Sequence, residues 1–142
     1  MRIKHLVKLY GSILLLGTSS LAVANEDIAL TILKNIDVTS FRNSLGPKHL
    51  ATGTKLSQTE FNIFTTQQDN KDTYYATDKN KNFEYSVRIL TTSKNETFIC
   101  FGDHALKGTG NIETALTVQI NSDGAYIAKP TTRHQGDCEI SQ

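Results

Sequence analysis

Two consecutive stretches, FEYSVRILTT at residues 83–92 and ETFICFGD at residues 96–103, decide the fold expected for this chain. In the first, apolar residues alternate with polar ones, which is typical of a strand with one buried face. Its apolar positions are Phe83, Tyr85, Val87 and Ile89. The second is apolar at odd and even positions alike, which indicates a strand in the interior of a sheet. The short polar connection between them predicts an antiparallel pair.

Similar stretches lie on both sides of this pair. TEFNIFTT (59–66) and DTYYATD (72–78) precede it, and TALTVQI (114–120) and AYIAKP (125–130) follow it. Asn-Ser-Asp-Gly at 121–124 is a strong hairpin signal. In TEFNIFTT the alternation places one set of residues on one face, namely Phe61, Ile63 and Thr65. A short final strand is predicted for DCEIS, residues 137–141. Short polar connections then predict an antiparallel β-meander of about six strands.

The segment before the strands has the periodicity of a helix. In residues 25–47 the apolar residues recur at helical spacing, at Ile28, Ile32, Leu33 and Ile36. Glu26 and Asp27 favour a helix N-terminus, and Gly46-Pro47 favours a stop. The stripe continues through Val38, Phe41 and Leu45, so one helix broken near Asp37 and two short helices fit equally well.

The predicted fold class is α+β. An N-terminal amphipathic helix packs on one face of the antiparallel meander, since this arrangement buries both apolar surfaces. A cystatin-like curved sheet and a small barrel capped by the helix are the two versions that the pattern allows.

The first 24 residues have the features of a secretory signal peptide. Arg2, Lys4 and Lys8 precede an apolar run at 13–16, and Ala22-Val23-Ala24 forms a cleavage signature. The apolar run is too short for a stable helix across about 30 Å of hydrocarbon, which argues against the alternative of a membrane anchor. We therefore expect a signal peptide at 1–24, a single secreted domain at 25–142, and a periplasmic or extracellular protein without a membrane span.

The charge balance of residues 25–142 argues against two classes of partner. After Arg2, Lys4 and Lys8 are removed, 12 basic residues remain against 14 acidic ones. A net charge of this sign provides no electrostatic attraction to nucleic acid or to an anionic membrane.

The two cysteines lie in near mirror-image motifs, CFGDH at 100–104 and HQGDC at 134–138. In an exported chain with two cysteines, a Cys100–Cys138 disulfide is the expected state. One alternative is a zinc site formed by both cysteines with His104 and His134, and another is a Cys-His nucleophile pair. A disulfide would also bring the two histidines into one neighbourhood, which makes them candidates for a metal-binding or pH-sensitive patch.

Exposed connections are the expected contact regions, since loops most often carry recognition. They are Asp69–Asp72, Asp78–Asn82 and Lys107–Asn111. A calcium loop starting at Asp78 is excluded, because Phe83 and Ile89 stand where glycine and a carboxylate are needed. The predicted binding residues are Tyr74, Tyr75, Asp78, Asn80, Lys107 and Asn111.

No catalytic constellation and no cofactor motif is visible in the sequence. The predicted function is a non-enzymatic module that binds another protein through loops and a sheet edge, such as an inhibitor or an immunity factor. The alternatives are a structural or adhesin-like subunit of the cell envelope, and a small hydrolase or metal-binding protein that uses His104 or His134. The exported, disulfide-bonded β character resembles that of periplasmic lysozyme inhibitors and of immunity proteins paired with secreted toxins, although no motif of either group can be quoted.

Overall fold

A computed structural model of the chain describes residues 27–66 and 72–138. The predicted signal peptide, residues 67–71 and residues 139–142 lie outside this part. Within it the chain forms one α-helix and six strands. They are α1 (Ile28–Asn35), β1 (Ile63–Thr66), β2 (Thr73–Thr77), β3 (Phe83–Thr92), β4 (Thr97–Ala105), β5 (Asn111–Ile120) and β6 (Tyr126–Pro130).

The six strands form one sheet in which each strand pairs with its neighbour in sequence, and every pair is antiparallel. The predicted meander is therefore confirmed. β4 lies inside the sheet and is buried on both faces between Phe98 and Gly102, as its apolar sequence indicated. A bulge between Ile89 and Thr91 shifts the register of β3 against β4. Among the described residues the sheet is open, with β1 and β6 at its edges.

Helix α1 covers one face of the sheet, which we call the inner face. Asp27 caps the helix, since its Oδ1 accepts a hydrogen bond from the Ala29 N–H at 2.8 Å. Ala29, Ile32 and Leu33 are buried against β2 and β3. The helix ends at Asn35, because the next residue, Ile36, is extended and forms a parallel bridge with β6.

The prediction that helical structure continues beyond Asp37 is wrong. Asp37 Oδ1 accepts hydrogen bonds from the Thr39 N–H (2.8 Å) and hydroxyl (2.6 Å), and such a local turn competes with a helix. The rest of the apolar stripe still reaches the core, but from an irregular segment that contains only 3₁₀ turns at Gly46–Lys48 and Leu56–Gln58. Leu45 and Leu56 are both fully buried there.

Aromatic rings fill the centre of the core beneath this segment. The ring of Tyr85 lies 4.6 Å from that of Phe61 and 5.5 Å from that of Phe101, measured between centroids. Phe61 precedes β1 rather than belonging to it, so the predicted alternation is interrupted there. Phe64 packs against the core and Ile63 is 40% exposed, which reverses the predicted faces of this strand.

The chain after β6 crosses the opposite, outer face of the sheet. Residues 135–137 form a 3₁₀ turn, so the predicted strand over 137–141 does not begin at Asp137, and its later residues lie outside the described part. The Gln135 side-chain amide accepts from the Ala115 N–H at 3.0 Å and donates to the Glu113 carbonyl at 3.3 Å. Arg88 donates to the Asp137 carbonyl at 2.8 Å.

Candidate functional site

Two of the predicted contact loops lie side by side at one end of the sheet. The Leu106 N–H donates to the Asn82 carbonyl at 2.8 Å. Lys107 Nζ donates to Asn82 Oδ1 at 2.9 Å and to the Asn80 carbonyl at 3.3 Å. We call this region the turn end and define it as residues 42–48, 78–83 and 105–112.

Asp78 fixes the shape of the β2–β3 turn. Its carboxylate is buried and accepts hydrogen bonds from the N–H groups of Asn80, Asn82 and Phe83, at 3.2, 2.8 and 3.1 Å. These bonds, first that from Phe83, lower the pKa of Asp78 below its ordinary value of 3.8. Asp78 therefore stabilises the turn from its buried side, while the side chain of Asn80 is exposed to solvent.

The segment 42–48 is attached to the sheet through Ser44. The Ser44 N–H donates to Asp103 Oδ2 at 2.8 Å, and its hydroxyl donates to Asp103 Oδ1 at 2.9 Å. The same hydroxyl forms a hydrogen bond with the buried Tyr85 hydroxyl. Burial raises the pKa of Tyr85 far above its usual range, so this phenol keeps its proton. The contact between Ser44 and Asp103 joins residues 59 positions apart in the chain.

An open cleft of about 780 Å³ lies between this segment and strands β4 to β6. Its lining is mainly apolar and includes Phe101, Ile112 and Pro130, together with the charged residues Arg42 and Asp103. Ile112 is on the inner face yet 63% exposed, because neither α1 nor the segment 42–48 covers this corner of the sheet. No local sequence pattern identified Arg42, Asp103 or Ile112 as members of one site.

The other predicted binding residues are distributed over different parts of the molecule. Tyr74 packs against the core on the inner face, whereas Tyr75, its neighbour on β2, points to the outer face. Of the predicted region Asp69–Asp72, only Asp72 is described, and it precedes β2 at the end of the sheet opposite to the turn end. Residues 69–71 lie outside the described part. Asn111 begins β5 and contacts the outer face.

His104 lies flat on the outer face, above Gly102. Its Nδ1 forms a hydrogen bond with Asn111 Oδ1, and its Nε2 lies 3.2 Å from Ser86 Oγ. A Cβ atom at position 102 would overlap both the imidazole ring and the Ser86 hydroxyl, so any larger residue there would displace these two side chains. Both ring nitrogens are thus engaged by neighbouring side chains.

Two glutamates lie near this histidine. Glu84 is directly opposite His104 on β3, and Glu113 is opposite Gly102 on β5. Partial burial raises the pKa of both carboxyl groups, and the nearby imidazole opposes the shift in each.

The disulfide between Cys100 and Cys138 is present, which confirms the predicted pairing. Both sulfurs are consumed by it, so the zinc site with two thiolates and the Cys-His nucleophile pair are excluded. His134 packs edge-on against Phe98, with the ring centroids 5.1 Å apart. Its Nδ1 forms a hydrogen bond with Asp137 Oδ2 at 2.9 Å. Since Phe98 and His104 are six positions apart on β4, the two histidines lie about 20 Å apart along the strand.

Two structural features are absent from residues 27–66 and 72–138. These residues contain no group of three or more His, Cys, Asp or Glu side chains placed to hold a metal ion. None of their helices has both the length and the apolar character needed to cross a bilayer.

Comparison with known proteins gives one family. The family model described as pesticin immunity protein matches residues 9–100, which is more than half of the chain. No curated protein and no solved structure matches the chain significantly. The match includes the helix, the segment 42–48 and the strands as far as Cys100, and β5, β6 and the second cysteine follow it. The chain belongs to the pesticin immunity protein family.

Proposed function

We propose that this protein binds pesticin, or a toxin closely related to it, and thereby blocks the toxin without catalysing a reaction. The match of residues 9–100 to the pesticin immunity protein family is the observation that supports this proposal. The site chemistry agrees with it. Both nitrogens of His104 are occupied by neighbouring side chains, and both cysteine sulfurs are joined, so neither offers an obvious nucleophile or base.

The sequence also supports a proposal for the place of action. We propose that residues 1–24 direct export, that cleavage leaves a chain starting at Asn25, and that the protein meets the toxin in the periplasm or outside the cell. The Cys100–Cys138 bond supports this, because disulfides form and persist in oxidising compartments.

A protection assay tests the function directly. Cells that express the full chain should survive a dose of pesticin that kills control cells, and the purified protein should bind pesticin in a calorimetric titration. Survival without any detectable binding, or binding without protection, would contradict the proposal.

The same cells separate binding from the alternative of histidine chemistry. A His104→Ala, His134→Ala double variant should still protect, because the proposed function does not use the imidazoles. A chain that lacks residues 1–24 should be found in the cytosol and should not protect. Mass spectrometry of the periplasmic protein should show Asn25 as its first residue.

A further inference from the structure

The turn end carries a concentration of positive charge. Arg42, Lys48, Lys79, Lys81 and Lys107 are all exposed there. These are five of the 12 basic residues in 25–142, a range in which acidic residues are in excess. Among these five cations, in the part of the chain that the structure describes, only Lys48 has a carboxylate partner, which is Glu60. The ammonium group of Lys107 donates to amide and carbonyl oxygens. Most of this charge therefore remains available to a partner.

Two carboxylates at or next to the turn end, those of Asp78 and Asp103, are engaged by hydrogen bonds within the protein. Asp78 is 5% exposed and accepts three backbone hydrogen bonds. Asp103 accepts both hydrogen bonds from Ser44. Of the other acidic groups near the turn end, Glu60 is exposed and pairs with Lys48, while Glu84 and Glu113 belong to the outer face beside His104. A molecule that approaches the turn end consequently meets more cations than anions, with Glu60 beside Lys48 and Asp103 in the cleft as the carboxylates within reach.

Apolar surface lies among these cations. Phe83, Leu106 and Ile112 are 44%, 45% and 63% exposed. Ile112 also lines the cleft of about 780 Å³, and Arg42 is another of its lining residues. Protein interfaces that bind tightly commonly combine a buried apolar anchor with a charged rim that directs association.

We propose that the turn end is the surface that contacts the toxin, and that the toxin presents acidic groups around an apolar side chain that enters the cleft. This inference rests on the proposed function and specifies its partner surface. The positive turn end, in a range (25–142) where acidic residues outnumber basic ones 14 to 12, selects an acidic partner surface. The cleft selects an apolar protrusion at the centre of that surface.

Strand β5 offers a matched pair of variants for the test. Ile112 and Ile120 are on the same strand, at its two ends, and are 63% and 64% exposed. In a calorimetric titration with pesticin at about 0.1 M salt, Ile112→Asp should weaken binding at least about tenfold, whereas Ile120→Asp should change it less than about twofold. Ile112→Ala, which adds no charge, should weaken binding in the same direction and serves if the aspartate variant does not fold.

Charge reversal provides a second pair. Arg42→Glu should weaken binding at least about tenfold and slow association, while Lys94→Glu, in the exposed turn at the opposite end, should leave both nearly unchanged. Raising the salt concentration should slow association of the wild-type protein more than that of Arg42→Glu.

The outcomes separate the two claims. If wild-type protein does not bind pesticin, the proposed function and this inference both fail. If it binds and the Ile112 and Arg42 variants bind equally well, the contact surface lies elsewhere and this inference alone is overturned. Equal losses in Ile112→Asp and Ile120→Asp would overturn it as well.

Discussion

Replacing both Cys100 and Cys138 with alanine should lower the stability of this domain substantially. The bond closes a loop between residues 38 positions apart. In the chain-entropy model a cross-link of this span restricts the unfolded chain by about 4 kcal/mol at 25 °C. Domains of this size are stable by about 5–15 kcal/mol, so the variant should remain folded but with a much smaller margin.

Urea unfolding followed by circular dichroism, without reductant, measures this loss. The double-alanine variant should lose about 3–4 kcal/mol of unfolding free energy. Its dependence on urea should be steeper, because the unfolded chain without the cross-link exposes more surface. Gln135→Ala is the control, since it releases the same segment from the β5 backbone without breaking the cross-link. It should cost about 1–2 kcal/mol. A loss in the cysteine variant no larger than that of the control would refute the reasoning.

Three further substitutions test individual contacts. Asp78→Asn should reduce stability most at neutral pH and progressively less as the pH falls through the folded-state pKa of Asp78. Because this pKa is lowered, the contribution of the carboxylate is complete above its ordinary value of 3.8 and is lost toward more acidic pH. Urea midpoints across pH 2–7 measure this, and parallel curves for the two proteins would contradict it. Gly102→Ala should lower the free energy of unfolding by about 1–2 kcal/mol, because the new methyl group displaces the imidazole of His104. In a His104→Ala background this loss should be at most half as large. A thermal double-mutant cycle that gives the same loss in both backgrounds would reject this explanation. Tyr85→Phe should cost about 1 kcal/mol through the lost hydrogen bond to Ser44, and unchanged urea stability would show that this bond contributes nothing.

The sequence predicts the sheet well because its signals are local. The two-residue period of β3 and the apolar run of β4 each specify a strand, and the short turns leave antiparallel neighbours as the only simple pairing. The disulfide follows from the cysteine count and the predicted export of the chain.

Predictions failed where a tertiary contact decided the local structure. The helical period of residues 28–45 is real as a burial pattern, but the extended pairing of Ile36 with β6 ends the helix at Asn35. The wrong face of β1 was predicted to be buried, because Phe61 enters the core before the strand begins and does not share its alternation. In both regions apolar periodicity records burial, and burial does not require regular structure.

The candidate site is predictable only in part for the same reason. Exposed turns indicated Asn80 and Lys107, which the structure brings together. The cleft, by contrast, depends on the contact of Ser44 with Asp103 across 59 residues, and no pattern in either segment indicates it.

The amide of Gln135 has a consequence for how copies of this protein behave at high concentration. Beyond Pro130, β6 no longer covers β5, and the Ala115 N–H and Glu113 carbonyl would form an unpaired edge. The Gln135 side chain occupies both groups as a peptide of an additional strand would, so this stretch offers no template for edge-to-edge aggregation. Self-association by strand addition is therefore blocked here by one neutral side chain, without the lysine or the bulge that many sheets use for the purpose.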